Sequence, residues 1–163
     1  MIVSGRQRGF TLLEMMLVLL LLGLGASMVV SQMPNATYRA AQESQRLAER
    51  LQRLTYQAAL EGRAYGLVVQ RDRWQLRRWQ AQGWQNLSLP HGAGAQTLPA
   101  GWHLQLIQPG PEAEDGVPQV LLLPGGEIMP FRLRYFSAGQ LMAEIVMDDE
   151  GGIHTDNKID EKL

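Results

Sequence analysis

Hydrophobic positions along the chain fall into three regimes. From Phe10 to Val30 the sequence reads FTLLEMMLVLLLLGLGASMVV, a dense apolar block about as long as a helix must be to cross a bilayer core at roughly 1.5 Å per residue. Further on, Leu47, Leu51, Leu54 and Ala58 recur at spacings of four, three and four, with Arg46, Glu49, Arg50 and Arg53 between them. That period predicts an amphipathic helix that packs its apolar face on the following domain, with Gly62 placed to stop it. Between the two, Ser31-Gln32-Met33-Pro34-Asn35 interrupts the block, and Pro34 removes a backbone donor, so a kink or local break is expected there. After Gly62 the pattern changes to short apolar or alternating runs punctuated by Gly, Pro, Asp and Asn, which predicts β-structure. Candidate strands are Tyr65 to Gln70, Trp74 to Trp79, Trp84 to Leu89, Trp102 to Ile107, Val117 to Leu123, Phe131 to Phe136 and Leu141 to Met147. The short links Arg71-Asp72-Arg73 and Ala81-Gln82-Gly83 suggest an antiparallel meander. Pro90 to Gly101 and Gln108 to Gly116 are expected to be long loops, where partner contacts commonly reside.

Composition narrows this picture. A chain of 163 residues holds one ordinary domain, or a smaller one with an appended element, and two large enzymatic domains would not fit. The net charge of -1 gives no sign of a nucleic-acid binder, and loss of a leader holding Arg6 and Arg8 would leave the rest more acidic by two charges. Cysteine is absent, which excludes a disulfide scaffold, a thiolate metal site and a thiol nucleophile.

The apolar block contains one carboxylate, Glu14, and admits three readings. A secretory signal removed near Ala26 or Ser27 is opposed by the length of the block and by Glu14 itself. An ordinary single-pass anchor explains the length and the basic flank of Arg6 and Arg8, which holds that end in the cytoplasm and sends the rest outside. It leaves Glu14 without a purpose, although a carboxylate inside a lipid-embedded helix costs up to about 2.5–3.5 kcal/mol. In the third reading the chain is cut between Gly9 and Phe10. The new α-amine of Phe10 then lies four residues before Glu14, on the same helix face. In a monomer the two could pair directly, whereas within a stack of parallel helices Glu14 of one subunit could meet the amine of its neighbour and fix the axial stagger.

The string Arg8-Gly9-Phe10-Thr11-Leu12-Leu13-Glu14, a short basic leader running straight into an apolar helix, resembles the class III signal of type IV prepilins and type II secretion pseudopilins. The resemblance implies that a prepilin peptidase cuts after Gly9 on the cytoplasmic side and N-methylates Phe10. Two later segments, Asp72-Arg73-Trp74-Gln75 and Val120-Leu121-Leu122-Leu123-Pro124-Gly125-Gly126-Glu127-Ile128-Met129-Pro130-Phe131-Arg132-Leu133, are similar to parts of the H-type minor pseudopilins of type II secretion. Taken alone, Pro124-Gly125-Gly126-Glu127 is a turn between two strands.

What the resemblance implies is an α+β fold, with a long N-terminal hydrophobic helix packed on a C-terminal antiparallel β-sheet domain. Residues 1–9 would be the leader, 10–62 the helix (10–30 spanning the membrane, 31–62 amphipathic), 63–147 the periplasmic β-domain and 148–163 an acidic flexible tail. It implies a filament subunit in the inner membrane of a Gram-negative bacterium, crossing once with its C-terminal domain in the periplasm. The implied partners are the prepilin peptidase, the major pseudopilin and other minor pseudopilins, the inner-membrane assembly platform and membrane lipid, with no nucleic acid. The alternatives are a minor pilin of a type IV or DNA-uptake pilus, and a single-pass anchored periplasmic binding module or enzyme.

The remaining chemistry points to no active site, metal or cofactor. His91, His103 and His154 lack metal-ligand spacing, and His91-Gly92-Ala93-Gly94 has no nucleophile motif to serve. The four Trp residues are read as core and cross-strand packing rather than stacking platforms. Asp148 to Asp156 offers oxygen ligands without an EF-hand spacing, and is read as a solvated terminus.

Overall fold

The computed structural model describes residues 12–31, 35–89, 94–108, 116–127 and 129–156, with side chains of the first segment given from Leu12 to Leu22. The chain divides into two units between Asn35 and Ala36. The first contains helix α1, Leu12–Ser31, twenty residues of apolar sequence interrupted by Glu14. At about 1.5 Å per residue its backbone runs for roughly 30 Å. Among the described residues no helix is long and apolar enough to cross a membrane, so the expected span over 10–30 draws on side chains beyond those described. Helical structure stops at Ser31 and restarts at Ala36, on either side of the expected break; Pro34 itself lies outside the described residues.

The second unit opens with helix α2, Ala36–Glu61, five residues later than the expected start at 31. Its buried side is the stripe read from sequence, with Ala40, Ser44 and Ala48 added to Leu47, Leu51, Leu54 and Ala58. Small residues at four of these positions, Ala40, Ser44, Ala48 and Ala58, let the helix approach the sheets closely. Gly62 closes α2 at φ +64°, and the Arg63 N–H reaches back to the Ala58 carbonyl at 3.2 Å. This is the 6→1 bond of a Schellman motif, which a left-handed glycine permits without a Cβ penalty.

Among the described residues nine strands follow: β1 (Tyr65–Val69), β2 (Arg73–Gln80), β3 (Gly83–Asn86), β4 (Ala95–Thr97), β5 (Trp102–Ile107), β6 (Val120–Leu122), β7 (Phe131–Ser137), β8 (Gln140–Met147) and β9 (Ile153–Asp156). They form two antiparallel sheets rather than one meander. One has the order β3-β2-β1-β6, with β4 also on β2, and the other has the order β5-β7-β8-β9. β3 pairs with Arg77–Gln80 and β4 with Arg73–Gln75, so the two short strands share one edge of β2. The sheets are tied where the Leu104 N–H donates to the Arg71 carbonyl at 2.7 Å.

In the second sheet the period of two sorts the faces of β5 and β7, whereas β8 is buried on both sides from Met142 to Ile145. Leu104, Leu133, Tyr135 and Ile145 turn inward toward α2, which lies chiefly against β8 and β9. All join a single buried cluster with Leu67, Leu76 and Leu122 of the first sheet and Leu47, Leu51 and Leu54 of α2. β1 is buried on both faces because the segment before β6 folds over its outer side. A Cβ on Gly66 would lie 2.4 Å from the Pro118 Cβ, so only glycine allows that approach. Gln119 then completes the ladder with its side chain: its Oε1 accepts from the Val69 N–H at 2.7 Å and its Nε2 donates to the Val69 carbonyl at 2.9 Å.

The acidic tail expected from 148 onward begins instead as a hairpin. Asp148 Oδ1 accepts from the backbone N–H groups of Glu150 and Gly152, at 3.0 and 2.8 Å, and turns the chain into β9. Asp148 thus uses one carboxylate oxygen to hold a turn, and the chain continues into β9, which pairs with β8 through Asp156.

Candidate assembly site

Glu14 lies in the first turn of α1, where the helix dipole and unpaired N–H groups favour a negative charge. Around it Leu12, Leu13, Met15, Met16, Leu17 and Val18 are all exposed, as are Leu19 to Leu22. Over the described side chains, Leu12 to Leu22, the helix presents apolar surface on every side. Gly9 and Phe10 lie outside the described residues, so the structure places one of the three expected junction residues and not the other two.

The β-domain carries no second constellation of this kind. His103 stacks on Phe136 with centroids 5.3 Å apart and 12° between planes. His154 Nδ1 lies 3.9 Å from Asp148 Oδ2, and His91 is outside the described residues. Among the described residues no three His, Asp or Glu side chains gather as a metal site would require. Of the tryptophans, Trp74 and Trp102 are core residues, whereas Trp79 and Trp84 pair across the β2–β3 hairpin, with Trp79 in part exposed.

Sequence reading missed one charged cluster. Glu144 on β8 is buried on the outer face of the second sheet, with Arg134 Nε donating to it at 2.6 Å and Arg132 Nη1 forming an ion pair at 3.6 Å. Arg134 sits directly opposite it in register. The signal was available, since a lone acid in Leu-Met-Ala-Glu-Ile-Val-Met follows a strand that alternates Arg with apolar residues. Only the β7–β8 pairing brings these together. A carboxylate bound by two guanidinium groups is an architectural clamp between strands, with no reacting group beside it.

An all-apolar helix with one carboxylate at its head, joined to a domain in which an amphipathic helix packs on antiparallel sheets, is the build of a pilin-like subunit. Comparison with known proteins specifies the kind. Residues 4–30 match the prokaryotic N-terminal methylation motif, and residues 43–151 match the family described as type II transport protein GspH. Type II secretion system protein H of Pectobacterium carotovorum is 33% identical over 90% of this chain and 90% of its own. The Klebsiella pneumoniae protein of the same name is 39% identical over 78% of this chain and 85% of its own. A crystal structure of a minor pseudopilin from the Vibrio cholerae type II secretion system shares the fold, with a TM-score of 0.66 at 24% identity over 74% of this chain and 95% of that one. The chain therefore belongs to the type II secretion protein H family. It is a minor pseudopilin, a structural subunit that associates with other pseudopilins in a Gram-negative bacterium.

Proposed function

We propose that the chain is made as a precursor, cut between Gly9 and Phe10 by the prepilin peptidase and N-methylated on Phe10. The mature subunit waits in the inner membrane through residues 10–30, with its β-domain in the periplasm, until the assembly platform draws it into the pseudopilus. It takes a place near the filament tip, among the major pseudopilin and other minor subunits, and supports export of folded proteins across the outer membrane. No catalysis is required of it. The observation that carries this reading is the uncovered apolar surface of α1 with Glu14 in its first turn. Such a surface is stable only in lipid or against like helices, and in that apolar setting the α-amine of a neighbouring Phe10 would be a favourable counter-charge for Glu14. Glu14 then selects the register at which neighbouring helices stop sliding.

Replacing the carboxylate separates insertion from assembly. For Glu14→Ala in the full-length chain, we expect normal recovery from the inner-membrane fraction and at least a tenfold loss from sheared filaments, with exoprotein release falling in step. Filament recovery equal to that of the unaltered chain would remove the register role.

A further inference from the structure

The β2–β3 hairpin carries a surface that assembly through α1 leaves unused. Trp79 and Trp84 are cross-strand partners whose rings meet edge to face, with centroids 5.3 Å apart and 72° between planes. Trp79 is nevertheless 51% exposed, unlike the core residues Trp74 and Trp102. Beside it lies an open depression of about 470 Å³ lined by Arg63, Arg78, Trp79, Gln80 and Ala81. Its two cations are held by rigid elements: Arg63 follows the Gly62 cap of α2, and Arg78 sits opposite Tyr65 in the ladder. One carboxylate, Glu61, faces both arginines and keeps its charge, held ionised by hydrogen bonds from Gln57 Nε2 at 2.5 Å and from the Tyr65 hydroxyl at 2.7 Å. The Arg78 guanidinium also donates to the Gln80 side-chain oxygen at 2.7 Å. Two guanidinium groups against one carboxylate leave one positive charge in excess beside the indole, with Arg63 the cation available to a partner.

We propose that this hairpin surface docks a neighbouring pilin-like subunit through a carboxylate set beside an apolar or aromatic side chain. A guanidinium takes a carboxylate through two parallel hydrogen bonds, and an adjacent indole excludes water from that pair and covers the apolar neighbour. Tryptophan and arginine are also the residues on which interface energy concentrates. The excess positive charge repels a basic partner, so the patch selects as well as binds. The inference rests on the assembly reading above.

The test uses the full-length chain in its own cell, with a photo-cross-linking amino acid in place of Trp79 and, as a control, in place of the exposed Glu150. The expected result is an adduct at position 79 with another pilin-like subunit, identified by mass spectrometry, and none with that subunit at position 150. Arg63→Glu with Arg78→Glu should lower the adduct at least tenfold without changing thermal unfolding. Reversing the charge of the partner's cross-linked carboxylate should restore it. If the double reversal fails to fold, Arg63→Gln with Arg78→Gln should still lower the adduct severalfold, while the Lys pair should retain most of it. An adduct to a glycan, to lipid or to a second copy of this chain overturns the proposal, as does no adduct or one indifferent to the arginines. Deleting the chain separates the two readings. Normal exoprotein release in the deletion strain defeats the assembly reading, whereas defective release alongside an arginine-indifferent adduct defeats the docking surface alone.

Discussion

Tyr135 is fully buried, and its hydroxyl has no hydrogen-bond partner among the described residues. Burial, and after it the negative charge of Glu43, pushes the phenol well above its ordinary value of 10.0. An unsatisfied buried hydroxyl costs about 1–3 kcal/mol, so Tyr135→Phe should raise stability by roughly 1 kcal/mol in denaturant unfolding at neutral pH. The pH dependence has a definite sign. A group that holds its proton more tightly when folded contributes stability that is complete below its unfolded value near 10 and is lost as pH rises toward its folded one. The unaltered chain should therefore lose stability more steeply above pH 10 than the Phe variant, and parallel curves would contradict the burial. Gly66 tests the packing of the outer segment at the same scale. Gly66→Ala presses a Cβ against Pro118, and about 1–3 kcal/mol should be lost.

At the scale of elements, the β7–β8 hairpin turns through Ala138 and Gly139, both at positive φ, 49° and 77°. Two positive values in a two-residue loop define a type I′ turn, in which Asn-Gly is preferred and an alanine is strained. Ala138→Asn should stabilise the domain by about 0.5–1 kcal/mol, read as a rise in melting temperature, and a fall would mean that the turn is held open for another purpose. The elements best read from sequence were those with long periodic signals: α2 from its leucine stripe, and β5, β7 and β8 nearly to the residue. β4 and β9 were missed because Ala-Gln-Thr and Ile-His-Thr-Asp have too few apolar residues to declare a strand. They exist because β2 and β8 offer free edges. The split into two sheets was also hidden. β1 finds β6 some fifty residues away, as the Val69–Gln119 bonds show, and turns reveal only which strands are neighbours along the chain.

For the whole molecule, legibility followed chemistry rather than period. Glu14 stood out because a carboxylate in an apolar helix demands a reason, whereas the hairpin tryptophans and the Glu144 cluster depend on which face each strand turns outward. The described side chains of α1, Leu12 to Leu22, are apolar and exposed around Glu14. In the function proposed above, the cut between Gly9 and Phe10 would turn a membrane anchor into an assembly helix. The most direct test is the intact mass and N-terminal sequence of the protein recovered from its native membrane. A chain beginning at N-methylated Phe10 is the predicted result. Retention of Met1 or Ile2 would contradict it and return α1 to the role of a plain anchor.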